Sequence, residues 1–72
     1  MSKERVIKEI RKNGEKEWIR VRKIEEDSGR VRIDIRKYRE DKYGNEYPTK
    51  KGVAMEAEDA KELALAIMSK IK

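Results

Sequence analysis

The sequence predicts an α+β domain: a four-stranded antiparallel sheet followed by one C-terminal helix, in the order β-β-β-β-α. Three observations point there. Residues 29–41, GRVRIDIRKYRED, alternate apolar and charged side chains as a half-buried strand does. Turn dipeptides cut the chain on either side of this stretch into pieces of strand length. Towards the C-terminus the apolar spacing changes from every second residue to the three-and-four pattern of an amphipathic helix.

The first strand is expected over residues 5–12, with Val6 and Ile10 as its apolar anchors. Val6, Ile7 and Ile10 also fall at helical spacing, so strand and helix both stay open at this point. Asn13-Gly14 is a strong hairpin signal, because both residues tolerate positive φ. The second strand, residues 17–24, sets Ile19 and Val21 on one face and Trp18, Arg20 and Arg22 on the other. Ser28-Gly29 marks the next turn. In the third strand Val31, Ile33 and Ile35 point one way; Arg30, Arg32, Asp34 and Arg36 point the other. A turn around Gly44 leads to the fourth strand, residues 47–55, where Pro48 lacks an amide hydrogen and implies an edge or a strand start. The helix then carries Ala60, Leu63, Ala64, Ile67, Met68 and Ile71 on one stripe. Glu58 and Asp59 in its first turn and Lys70 and Lys72 in its last complement the helix dipole. Leu63, Ile67 and Ile71 are expected to pack over Val31, Ile33 and Ile35. Met68, at the margin of the stripe, is the residue expected to cross to a partner subunit, and Trp18 is assigned to core or dimer packing.

Seventy-two residues form one domain, covering 1–72, with a modest core. Small domains draw extra stability from disulfides, metals or oligomerisation. The chain has no Cys and no His, which excludes disulfides, thiolate and imidazole metal sites and Cys or His catalysis. Oligomerisation remains, and a homodimer is expected. None of Ser2, Ser28 and Ser69 has a histidine to activate it. The neighbouring carboxylates Glu40-Asp41 and Glu58-Asp59 point apart, and no glycine-rich phosphate loop is present. An enzyme is not expected, and neither is a cofactor or a metal. No apolar run is long enough for a membrane span, and the N-terminus lacks the features of a signal peptide. An intracellular location follows: cytoplasm or nucleoid in a prokaryote, nucleus in a eukaryote, with no membrane partner.

The net charge is +5, from 20 Lys and Arg against 15 Asp and Glu. Residues 20–53 carry eleven of the basic residues and seven acids, whereas residues 54–72 carry three against four. A polyanion partner fits such a balance. With the helix on one face of the sheet, the opposite face collects Arg20, Arg22, Arg30, Arg32 and Arg36. Like charges opposed across a sheet are unfavourable, and a bound polyanion relieves them.

From Glu17 onward the chain resembles the C-terminal DNA-binding domain of the transcriptional coactivator positive cofactor four family. The resemblance rests on Gly29-Arg30-Val31-x-Ile33-Asp34-Ile35-Arg36-x-Tyr38, the turn around Gly44, Pro48-x-Lys50-Lys51-Gly52 and the closing helix. It implies a curved antiparallel sheet, a homodimer formed through helix and sheet, and binding of single-stranded DNA or melted duplex with little sequence preference. It further implies that Arg30, Arg36, Lys50 and Lys51 contact DNA; Arg20, Arg22, Arg32, Tyr38 and Arg39 are expected to complete the surface. Leu63, Ile67, Met68 and Ile71, with Trp18, serve core and dimer. Arg39 stands where the family carries an aromatic, and Asp27 or Ser28 where it often carries another. Binding should therefore lean more on charge, although a guanidinium plane can also stack on a base. The expected role is non-sequence-specific binding of single strands in transcription, replication or repair. RNA binding or RNA chaperoning on the same groove is one alternative. A module docking to transcription or replication proteins is the other.

Overall fold

The computed structural model describes residues 2–71. Four strands, β1 (Lys3–Ile10), β2 (Glu17–Glu25), β3 (Val31–Glu40) and β4 (Glu46–Glu56), precede one helix, α1 (Ala57–Ile71). The strands form an antiparallel meander in the order β1-β2-β3-β4. The expected architecture is thus present. The open choice at the N-terminus resolves to a strand, shifted two residues earlier than the pattern suggested.

A bulge explains the ambiguity in β1. Val6 pairs with Arg22 and Lys8 with Val21, so Ile7 is the extra residue. An extra residue throws off the period of two. Val6, Ile7 and Ile10 consequently mimic a helical spacing in a chain that is extended.

The turns follow their residues. Gly29 adopts φ 90°, a region closed to most side chains, and its amide donates to the Glu26 carbonyl at 2.9 Å. In the β3–β4 turn the Asp41 carboxylate accepts from the amides of Tyr43 (2.8 Å) and Asn45 (3.0 Å) and from the Asn45 side chain. The bond from the Asn45 amide, the largest influence, and that from the Tyr43 amide hold the Asp41 pKa below its ordinary value. Pro48 lies in β4, an edge strand, where its missing amide hydrogen is tolerated.

The helix departs from expectation in its packing. β4 passes into α1 between Glu56 and Ala57 with no intervening loop, so the end of the strand fixes the direction of the helix. Ala57, Ala60 and Ala64 are the apolar helix residues that meet the sheet face, around a 570 Å³ cavity also lined by Ile7, Val21, Val31, Ile33 and Ile35. Leu63, Ile67 and Ile71 do not close over that face; they are exposed, as are Leu65 and Met68. The best-buried residues lie on the other side of the sheet: Trp18 is 3% exposed, Tyr38 6% and Asp34 2%, with Ile24 also buried. Trp18 is therefore a core residue of the single chain.

Candidate nucleic-acid interface

Strand register sorts the charged residues into two populations. Residues directly opposite one another share a face of the sheet. Trp18 pairs with Tyr38, Arg20 with Arg36, Arg22 with Asp34 and Ile24 with Arg32. These residues make up the arginine face that the sequence pattern indicated. Glu17 pairs with Arg39, Ile19 with Lys37, Val21 with Ile35 and Lys23 with Ile33. These lie on the helix-bearing face.

The arginine face is internally neutralised. Arg20 bonds to Glu9 on β1 and to Glu46 on β4, the latter at 2.7 Å. Arg22 reaches Asp34 at 3.0 Å and Glu4 at 3.2 Å. Arg36 bonds to Asp34 at 3.2 Å and donates to the Thr49 carbonyl at 3.0 Å. Arg32 lies 3.2 Å from Glu26, and Arg30, just before β3, is paired with Glu56. Burial pushes the Asp34 pKa up, but the bonds from Arg36 and Arg22 outweigh it and hold the carboxyl below its ordinary value. The bond from Arg30 likewise holds Glu56 low, against the opposing effect of burial.

The aromatic rings of this face are also occupied. Trp18 and Tyr38 lie 6.4 Å apart, centroid to centroid. The Arg11 guanidinium sits 4.0 Å over Trp18, and that of Arg20 sits 4.3 Å over Tyr38. Trp18 Nε1 donates to Glu9 at 3.2 Å. A base would have to displace a guanidinium to stack on either ring.

The second population is different. Among the described residues Lys37, Arg39, Lys50 and Lys51 are exposed and make no ion pair. Lys37 and Lys51 together border a 520 Å³ depression that Glu15, Lys16 and Glu17 also line. The same two lysines border an adjoining 200 Å³ hollow, mainly apolar, with Ile19, Ile35, Gly52 and Val53 in its lining. An irregularity in the β3–β4 ladder between Arg36 and Tyr38 brings them together. Thr49 secures it: its hydroxyl donates to the Lys37 carbonyl at 2.8 Å and accepts from the Lys51 amide at 3.2 Å. Gly52 permits the close approach of the strands, because a Cβ there would lie 2.6 Å from the Ile35 carbonyl oxygen.

Of the residues expected to contact nucleic acid, the fold thus groups Arg20, Arg22, Arg32, Arg36 and Tyr38 on one face. Arg39 lies on the other, between Glu17 and Tyr47 in the ladder, and Arg30 is at the sheet margin. Lys37 and Lys16 were not singled out by the sequence pattern. The strand parity of Lys37, one residue from Arg36, is the signal that separates it from the arginine ladder.

The fold and this surface define a small β-β-β-β-α module with an uncovered basic groove on its sheet. The chain belongs to the transcriptional coactivator p15 (PC4) family, whose family model matches residues 14–66. It is a family of nucleic-acid-binding coactivators rather than of enzymes, and membership makes this a DNA-binding, transcriptional coactivator-like domain. No curated protein and no solved structure matches the chain significantly. No described helix is long and apolar enough to cross a membrane, and no described cluster of acidic side chains is arranged to hold a metal ion.

Proposed function

We propose that the protein binds single-stranded DNA with little sequence preference, as a homodimer, and that Lys37 and Lys51 lead the contact with phosphate. The observation that carries this is their pairing across an apolar floor with neither ammonium held in an ion pair, although Glu15 and Glu17 stand at the rim. Single-strand binders combine cations that track the backbone with flat or apolar surfaces that accept bases. Lys16, Arg39 and Lys50 extend the track. Arg30, Arg36 and the other arginines enter second, since each reaches a phosphate only by exchanging a carboxylate it already holds. The dimer is supported by the exposed large apolar side chains of α1, Leu63, Leu65, Ile67, Met68 and Ile71, since apolar surface left open in a cluster marks an interaction site. A role on exposed single strands in transcription, replication or repair suits such binding.

Titration with oligo-dT at several salt concentrations tests the reading, with oligo-U and duplex DNA as parallel arms. Each phosphate neutralised on a single strand contributes about −0.7 to the slope of log affinity against log salt. Lys37→Ala with Lys51→Ala should lower affinity about tenfold or more at low salt and flatten the slope by about 1.4. Unchanged affinity and slope in this variant, with both lost in Arg20→Ala/Arg36→Ala, would place binding on the arginine face. Tighter binding of oligo-U than of oligo-dT would make RNA the ligand.

A further inference from the structure

Cationic grooves accept the phosphates of single strands and duplexes alike, so lysines alone do not explain a preference for unpaired strands. That preference needs a ring whose face is open to a base. The chain has one Trp, three Tyr and no Phe. Trp18 and Tyr38 are buried with a guanidinium over each ring. Tyr43 is in the β3–β4 turn, off the sheet, with the Lys42 ammonium 5.2 Å from its ring centroid.

Tyr47 is placed differently. It is 41% exposed, and no ring contact or cation over its ring involves it among the described residues. It lies directly opposite Arg39 in the β3–β4 ladder and therefore shares that residue's face of the sheet. Lys37 is on the same face, two residues along β3 from Arg39, or about 7 Å at the rise of a strand. The backbone that follows Tyr47 is fixed. Pro48 restricts its own φ, and Thr49 is tied to Lys37 and Lys51 by its hydroxyl. The ring is thus carried by the same short segment that sets the two groove lysines, and little ordering remains for a ligand to impose.

We infer that Tyr47 is the base-stacking platform of this groove, with the Arg39 guanidinium beside it, and that this residue sets the preference for unpaired over duplex nucleic acid. The inference rests on the single-strand reading above. An unpaired base lays its face on the Tyr47 ring while Lys37 and Lys51 hold the flanking phosphates. In a duplex the base faces are stacked on one another, so only the lysines engage. All bases have such a face, so the contact adds affinity without sequence preference.

The test compares Tyr47→Ala, Tyr47→Phe and Tyr47→Trp on three probes: oligo-dT, an abasic strand of equal length and duplex DNA of equal length. Tyr47→Ala should weaken oligo-dT binding about tenfold, within the range for loss of one stacked base, and leave the salt slope unchanged. Binding of the abasic strand and of the duplex should stay within about twofold, so the single-strand preference falls. Tyr47→Phe and Tyr47→Trp should keep wild-type affinity, and the introduced tryptophan should be quenched by oligo-dT but not by the abasic strand. The inference is overturned if Tyr47→Ala leaves the oligo-dT to duplex ratio intact, or if it weakens all three probes equally. If Lys37→Ala/Lys51→Ala weakens oligo-dT binding while Tyr47→Ala does not, the stacking platform alone is wrong. If the unaltered protein fails to bind oligo-dT at low salt, the single-strand reading falls and this inference with it.

Discussion

Asp34→Asn separates the two faces of the sheet in one experiment. The Asp34 side chain is 4% exposed and accepts from both Arg22 and Arg36, whose side chains are 22% and 24% exposed. The amide keeps the shape and removes the charge, leaving two guanidiniums beside a neutral group. Breaking a buried ion pair by removing one partner costs about 3–5 kcal/mol. Here Arg22 retains Glu4 and Arg36 retains the Thr49 carbonyl, and both reach water. The cost therefore falls below that range, about 2–3 kcal/mol, or roughly 10–20 °C in Tm for a domain this small. Thermal and urea unfolding at fixed protein concentration measure it, because self-association shifts apparent stability.

The pH dependence carries a sign. The folded-state pKa of Asp34 is depressed, so its contribution is fully present above the unfolded value of about 3.9 and is lost as pH falls through the folded value. Asp34→Asn should remove that share of the acid sensitivity. The same variant frees two guanidiniums, so oligo-dT affinity reports whether they matter. With the lysine groove as the site, affinity should rise less than threefold. A loss of under about 1 kcal/mol refutes the structural role of the Asp34 cluster. A tenfold gain in affinity with a steeper salt slope refutes the assignment of binding to the lysine groove.

Gly52→Ala should destabilise the fold by at least about 2 kcal/mol in urea unfolding, since its Cβ would meet the Ile35 carbonyl oxygen at 2.6 Å and the Arg36 Cα at 2.8 Å, both backbone atoms. A midpoint equal to that of the unaltered protein would show that the strands separate freely there. Leu63→Glu with Ile67→Glu should yield a monomer in sedimentation equilibrium, and an unchanged assembly mass would place the subunit contact elsewhere.

The fold was legible because two local signals agree over most of the chain. The alternation in β3 and β2 and the turn residues around Gly14, Gly29 and Gly44 specify hairpins, and the shift of spacing specifies α1. Where legibility failed, a bulge was responsible. Ile7 in β1 breaks the alternation, and the residues between Pro48 and Gly52 break the pairing with β3. Neither irregularity has a signal in composition. The packing of α1 was misjudged for another reason: the stripe Leu63-Ile67-Ile71 shows that the helix buries a face, not which surface covers it. In the single chain the alanines meet the sheet and the larger residues stay open.

The kind of residue on each face was legible, and the ion pairs that hold those residues were not. An arginine ladder on one face was read from parity, and parity was right. Its partners were not readable, because Glu9 and Glu46 come to Arg20 from two other strands, and Glu4 and Asp34 to Arg22 likewise. Guanidinium groups, with donors in a planar fork, satisfy such multiple carboxylates well, whereas an ammonium is a compact charge on a flexible stem. The arginines of the sheet thus take up acidic side chains within the fold. The net positive charge is left to residues held in no ion pair, Lys37, Lys50, Lys51 and Arg39 among them, even though Glu17 lies across the ladder from Arg39. A surface that binds phosphate must offer charge not already matched, so the number of arginines on a face is a poor guide to where a polyanion lies. The cations left over after the internal pairs are formed are the better guide, and among them Lys37, Lys50 and Lys51 flank the β3–β4 irregularity held by Thr49.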